Sequence, residues 1–178
     1  HYSRTFDDGN YLKTLTNAIS HLLKTSTYKI VFLPMNTISP DDDRVAISYI
    51  LTQLQEEYGN RLDAINDQLH PFQVAEILRS ATFAITVRFH AGVLSCSNGT
   101  PILSLAYDKK NLDISEVLEM KNLTFDLNSI DDGELLHAID HIVLNLGELT
   151  EHCKNNNLRS KRVFESIVAT HFPKENLS

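Results

Sequence analysis

Apolar residues recur along this chain in two alternating rhythms. Leu12, Leu15, Ile19, Leu22 and Leu23 fall three or four positions apart, the stripe of an amphipathic helix over 11–24. The run 28–33 (YKIVFL) is short, apolar and rich in β-formers, and it predicts a buried strand. Ser39-Pro40-Asp41-Asp42 then reads as a helix start. Ser39 can cap, Pro40 suits the first helical position, and the acids oppose the positive end of the helix dipole. This helix is expected to reach Tyr58, with Gly59 placed to end it. A strand is expected over 61–65, and a helix from Pro71 with Val74, Ile77 and Leu78 on one face. Strand 83–87 (FAITV), a small-residue helix 91–98 closed by Gly99, and strand 102–106 (ILSLA) follow. The remainder reads as helix 113–120, strand 123–127, helix 131–145, a break at Gly147 and a last helix 148–171.

Strands alternating with helices favour parallel pairing, because parallel strands need crossover connections. The strand runs are continuously apolar, as expected when both faces of a sheet are covered. The expected fold is therefore α/β: a Rossmann-like three-layer domain with a parallel sheet and C-terminal helices, spanning 11–172. Residues 1–10 read as a polar linker or sequence edge, and 173–178 as a tail. There is no internal repeat and no low-complexity tract, and the polar run 154–162 reads as a solvated helix face.

Composition narrows the function. The 178 residues carry a formal charge of -7, which argues against a general nucleic-acid surface, since phosphate-backbone binding needs clustered Lys and Arg. The two cysteines, Cys96 and Cys153, lie far apart in sequence and outside any metal-ligand spacing. They read as reduced thiols of a cytoplasmic protein. No apolar run is long enough to span a bilayer, and no signal pattern opens the chain. The GxGxxG, GxxxxGK[ST], GxSxG and HExxH motifs are all absent, and nothing calls for a cofactor or a metal. His137 and His141 stand four apart but lack a third ligand, so they read as surface-helix residues, and His70 before Pro71 as a loop or cap residue.

Ligands of open parallel sheets bind beyond the carboxyl ends of the strands, and two predicted strand ends are rich in chemistry. Arg88-Phe89-His90 follows FAITV and precedes a helix. Arginine offers a planar fork of donors, the helix start offers backbone N–H groups, and His90 can donate to an anion or carry a proton. Tyr107-Asp108-Lys109-Lys110 follows ILSLA. If the two strands are neighbours, Lys110 can add positive charge to an anion held by Arg88 and His90. Ala91, Gly92, Ser95 and Ser97 would let backbone and ligand approach closely. Each residue also has a plainer reading. An arginine at a strand end commonly pairs with a carboxylate, a single histidine is commonly structural, and paired lysines are commonly solvated. Asp41 to Asp43 are explained by capping. The combination at a strand-to-helix switch favours an anion site.

Segment 83–110, FAITVRFHAGVLSCSNGTPILSLAYDKK, resembles the signature region of the polysaccharide pyruvyl transferases. There an R-[LF]-H triplet follows a buried strand, then a small-residue helix, a G-x-P turn and a strand ending in Y-D-x-K. Arg88, Phe89 and His90 fill the triplet, and Gly99, Pro101, Tyr107, Asp108 and Lys110 the later positions. Lys109 stands where the family commonly has proline. The strand before Leu33-Pro34-Met35, with Asp42 and Asp43 after it, is similar to the family's preceding βα unit, and Arg79 to Thr82 to the segment ahead of the signature.

The resemblance implies the C-terminal part of a GT-B-like fold. It implies phosphoenolpyruvate as donor of a pyruvate ketal to two hydroxyls of a saccharide or lipid-linked saccharide, in cell-wall or exopolysaccharide biosynthesis. Arg88 and His90 would be the catalytic pair, with His90 a general acid or a phosphate clamp. Tyr107, Asp108 and Lys110 would complete the substrate site. The family's glycine-rich G-x-x-N-x-G-D stretch is absent here. The chain is therefore expected to lack the N-terminal half, to fold alone, and to turn over little or no substrate. Two alternatives stay open. One is the nucleotide-sugar half of a GT-B glycosyltransferase, for which Glu134 or Asp140 is the ribose-binding candidate. The other is a degenerate, non-catalytic binding module.

Overall fold

Hydrophobic spacing becomes packing directly in the first helix. In α1 (Asp8–Thr25) the residues Ala18, Ile19, Leu22 and Leu23 are all buried. The computed structural model describes residues 8–106, 121–127 and 129–171, and the expected helix 113–120 lies outside them. After α1 come β1 (Ile30–Phe32), α2 (Asp43–Tyr58), a 3-10 turn (Gly59–Arg61), β2 (Leu62–Ala64) and α3 (Pro71–Ser80). They are followed by β3 (Ala84–Thr86), α4 (Phe89–Ser97) and β4 (Ile102–Ala106). A second 3-10 turn (Lys121–Leu123), β5 (Thr124–Asp126), α5 (Asp132–Leu144) and α6 (Leu146–His171) complete the order.

Every strand pairing is parallel, with Ile30 opposite Leu62, Ala84 opposite Ile102, and Ser104 opposite Thr124. The α/β Rossmann-like expectation is met, with one difference: the strands form two sheets, β1-β2 and β3-β4-β5. Residues of β1 and β3 both line a cavity of about 490 Å³, and no ladder joins the two strands. At their amino ends Tyr28 and Phe83 meet edge to face, ring centroids 5.8 Å apart. With β1 beside β3 across this cavity and through the Tyr28–Phe83 contact, the five strands follow the order 2-1-3-4-5, a doubly wound arrangement whose switch point lies between β1 and β3.

Helices cover both faces. α1 packs on α2 and α5, while α4 packs on α3 and α6. The core is centred on β4, all five residues of which are buried, together with Leu135, Ile139 and Ile142 of α5. Burying a Leu or Ile side chain contributes about 1.5–3 kcal/mol, and a second buried cluster of Ile19, Leu23, Ile50, Leu54 and Tyr58 joins α1 to α2. Among the described residues no helix is long and apolar enough to cross a membrane.

Three local expectations change. The N-cap of α2 is Asp42, not Ser39, and the helix starts at Asp43. Asp42 accepts from the backbone and the guanidinium of Arg44 at 3.0 Å each, which fixes the cap there. Gly59 ends α2 but in a right-handed conformation (φ -56), because the chain continues into the 3-10 turn. That turn brings Arg61 onto the carbonyls of Leu23 and Ser26, closing the C-terminus of α1. The break before the last helix falls at Asn145, whose backbone N–H and side-chain Nδ2 both donate to His141 O, and Gly147 is helical. Gly99 does close α4 in the left-handed region, at φ +82.

Candidate functional site

The carboxyl end of β3 turns straight into α4. Arg88 is the N-cap, with extended backbone (φ -92, ψ 130), and its carbonyl accepts from Ala91 N at 3.0 Å and Gly92 N at 3.3 Å. Phe89 and His90 are thus the first two helical residues, and the triplet straddles the switch instead of preceding it. The N–H groups of a first helical turn precede the internal ladder and carry the positive end of the dipole.

Arg88 is held in place by the loop that follows β1. Its Nε and Nη2 donate to Asp43 Oδ1 at 3.0 and 2.7 Å, and Nη2 also donates to Asp41 O at 2.7 Å. The other carboxylate oxygen, Asp43 Oδ2, accepts from Met35 N at 2.9 Å and Asn36 N at 2.8 Å. One carboxylate therefore joins the end of β1, the start of α2 and the end of β3. Both side chains are partly shielded, with 27% of Arg88 and 22% of Asp43 exposed. Next to them, the hydrogen bonds from Arg44 hold the Asp42 carboxyl below its usual range.

Asp43 was expected to be a helix-start acid and no more. It is also the partner that fixes Arg88, across a separation of 45 residues. The only sequence signal for this was the similarity of the acidic stretch after β1 to the family's βα unit. No local spacing rule links residues so far apart.

His90 is exposed on the first turn of α4, its ring perpendicular to Phe89 with centroids 5.4 Å apart. The neighbour relation required of the second cluster is met: β3 and β4 are adjacent and parallel, so their carboxyl ends share one edge of the sheet. Tyr107, Asp108, Lys109 and Lys110 lie outside the described residues. The small residues of α4 serve packing. Ala91, Gly92 and Ser95 are buried, and a Cβ on Gly92 would sit 3.4 Å from Ile102 and 3.5 Å from Thr86. They bring the helix onto the sheet, and Ser97 is exposed at the far end.

Other candidates fall elsewhere. His70 caps α3, with Nδ1 accepting from Phe72 N at 3.4 Å, and His137 Nδ1 lies 2.8 Å from Gly133 O on the exposed side of α5. Glu134 belongs to the capping box of α5, and Asp140 pairs with His21 at 2.8 Å. Both acids suggested for ribose binding are thus engaged in structural contacts.

The cavity between β1 and β3 reaches this corner, with Met35, Asp43, Arg88 and Ala91 in its lining. The corner combines a guanidinium of fixed orientation, a helix start and an accessible imidazole at the switch point of the sheet. That set can orient an anionic ligand and pass it a proton.

The profile of the family described as polysaccharide pyruvyl transferase matches residues 2–109, more than half of the chain. The match runs through β4 and ends one residue before Lys110. Among curated proteins, the amylovoran biosynthesis protein AmsJ of Erwinia amylovora is 25% identical over 114 residues, covering 62% of this chain and 26% of the relative. The chain thus spans about a quarter of that relative's length. No solved structure matches it.

Proposed function

Because the chain belongs to the polysaccharide pyruvyl transferase family, we propose that it forms the donor-binding part of a transferase that ketalises a sugar of a cell-surface polysaccharide with phosphoenolpyruvate. The observation that carries this reading is the Arg88–His90 corner at the switch point, opening a helix beside the end of β1. The donor brings a carboxylate and a phosphate, and an anchored guanidinium with a helix start suits either. In the reaction the enol carbon gains a proton, a sugar hydroxyl bonds to the neighbouring carbon, and a second hydroxyl displaces phosphate. His90 supplies the proton or holds the phosphate. Tyr107, Asp108 and Lys110 join the site by family resemblance, Lys110 as a charge on the departing phosphate.

The acceptor is a saccharide or lipid-linked saccharide bound mainly outside this chain, in a GT-B-like partner half. The chain alone therefore binds donor without robust turnover, and the reaction belongs to the cytoplasm, where phosphoenolpyruvate is supplied. Calorimetric titration with phosphoenolpyruvate is expected to show saturable binding that Arg88→Ala and His90→Ala each weaken at least tenfold. Binding of nucleoside diphosphates alone would point to a nucleotide-sugar site. Silence toward both ligands, with the fold intact by circular dichroism, would refute donor binding by this chain.

A further inference from the structure

Two thiols that are far apart in sequence meet beneath the site helix. Cys96, near the end of α4, and Cys153, on α6, place their sulfurs 3.2 Å apart, with 2% and 0% of each residue exposed. A disulfide needs about 2.05 Å between sulfurs, so a shift of little more than 1 Å separates the pair from bonding. The helices are already joined beside it. Asn157 Nδ2 donates to Ser97 O at 2.6 Å, and Cys153 Sγ reaches Thr100 O at 3.8 Å. Neither sulfur takes part in the donor reading.

We propose that Cys96 and Cys153 are a built redox pair that closes to an intramolecular disulfide when hydrogen peroxide reaches the chain, clamping the end of α4 to α6. The Cys96 thiolate attacks one peroxide oxygen and the O–O bond breaks. The departing hydroxide takes up a proton and leaves as water, and Cys96 becomes a sulfenic acid. The Cys153 sulfur then attacks the Cys96 sulfur, the S–O bond breaks, and a second water leaves with the Cys153 proton. The two thiols lose two protons and two electrons, and the peroxide is reduced by the same amount. The contact itself prepares the roles. Hydrogen bonding from Cys153 holds the Cys96 thiol below its usual range, while that contact and burial push Cys153 up. That direction agrees with Cys96 attacking and Cys153 resolving, and the reaction balances equally with the roles exchanged. Burial makes the reaction slow and keeps bulky disulfide reagents out.

The bond would close a loop of 57 positions, and loop-closure entropy for that length corresponds to a rise in Tm of roughly 10 °C for a chain of this size. The test treats the reduced chain with hydrogen peroxide, digests it without reductant and weighs the peptides. The expected result is a cross-linked pair containing Cys96 and Cys153, two hydrogens lighter than the separate peptides. It should come with a Tm rise that dithiothreitol reverses and that Cys96→Ala and Cys153→Ala each abolish. Counting alkylatable thiols after denaturation needs no variant and should fall from two to none. Sulfinic acid on either cysteine without the cross-linked pair, or only intermolecular dimers, would overturn the proposal. So would a thiol count that stays at two.

Discussion

Replacing Asp43 with alanine removes four hydrogen bonds at once, which makes it the sharpest probe of how the site is assembled. Two of the bonds come from Arg88, at 3.0 and 2.7 Å, and two from the backbone of Met35 and Asn36, at 2.9 and 2.8 Å. A buried pair of this kind would be worth several kcal/mol when broken, and an exposed one near zero. With 22–27% of each side chain accessible, water recovers part of the loss, and about 1 kcal/mol is a reasonable share for the pair. The two backbone N–H groups lie in a partly open loop, where each lost bond costs about 0.5 kcal/mol. The acid also stands at the first position of α2 and interacts favourably with its dipole, adding about 0.5 kcal/mol. The total is about 2–3 kcal/mol, or a fall in Tm of about 5–10 °C for a domain of this length.

Urea unfolding of wild type, Asp43→Ala, Arg88→Ala and the double variant measures this and divides it. The two single losses should sum to more than the double loss by about 1 kcal/mol, because each variant removes the same contact. Asp43→Asn should lie between wild type and Asp43→Ala, since its single carbonyl oxygen serves Arg88 or the loop but not both. Losses below about 0.5 kcal/mol for both single variants, with additive effects, would show that the carboxylate does not fix Arg88, and the positional argument for the site would fall with it.

Two further outcomes test the frame around the site. Gly99→Ala forces a side chain into φ +82 and places a Cβ 3.2 Å from Lys154 Cγ, so it should cost about 1–2 kcal/mol in urea unfolding; an unchanged midpoint would contradict the left-handed cap. Asp132 is held below its usual carboxylate range by hydrogen bonds from Thr14 and from Asn17, the latter at 2.8 Å, tying α5 to α1. A carboxyl depressed by folding stabilises the native state above its unfolded pKa, and that contribution disappears as pH falls through the folded value. The stability gap between wild type and Asp132→Asn should therefore be full at pH 7 and shrink below about pH 4, and a gap that widens in acid would reverse the assignment.

Legibility in the sequence tracked the range of the interaction that decides each feature. β4 matches its expected span at both ends because ILSLA is buried along its whole length and is set off by Gly99 and Pro101. The start of α2 was displaced by three residues because Ser39, Asp41 and Asp42 can all cap. The choice fell to Asp42, which also accepts from Arg44. Gly147 read as a break, yet glycine inside a helix costs only about 1 kcal/mol, and the stop came from Asn145 bonding back to His141. The Cys96–Cys153 and Arg88–Asp43 contacts, 57 and 45 positions apart, depend on which helices and strands become neighbours. That information is carried by no window of the chain.

The Arg88–Asp43 contact also changes what Arg88 means. Taken alone, an arginine at a strand end is explained by a carboxylate partner, and the structure supplies one. Had that partner been a random surface acid, the plainer reading would have sufficed. It is instead the first residue of α2, and it is itself fixed by two backbone N–H groups of the loop that follows β1. A guanidinium set this way has already lost most of its rotamer freedom before any ligand arrives, and avoiding that ordering cost is what makes a binding group effective. Pairing and binding are thus not competing explanations of Arg88. The ion pair orders an arginine that caps α4 two residues beyond β3, at the sheet edge where doubly wound folds commonly bind ligands.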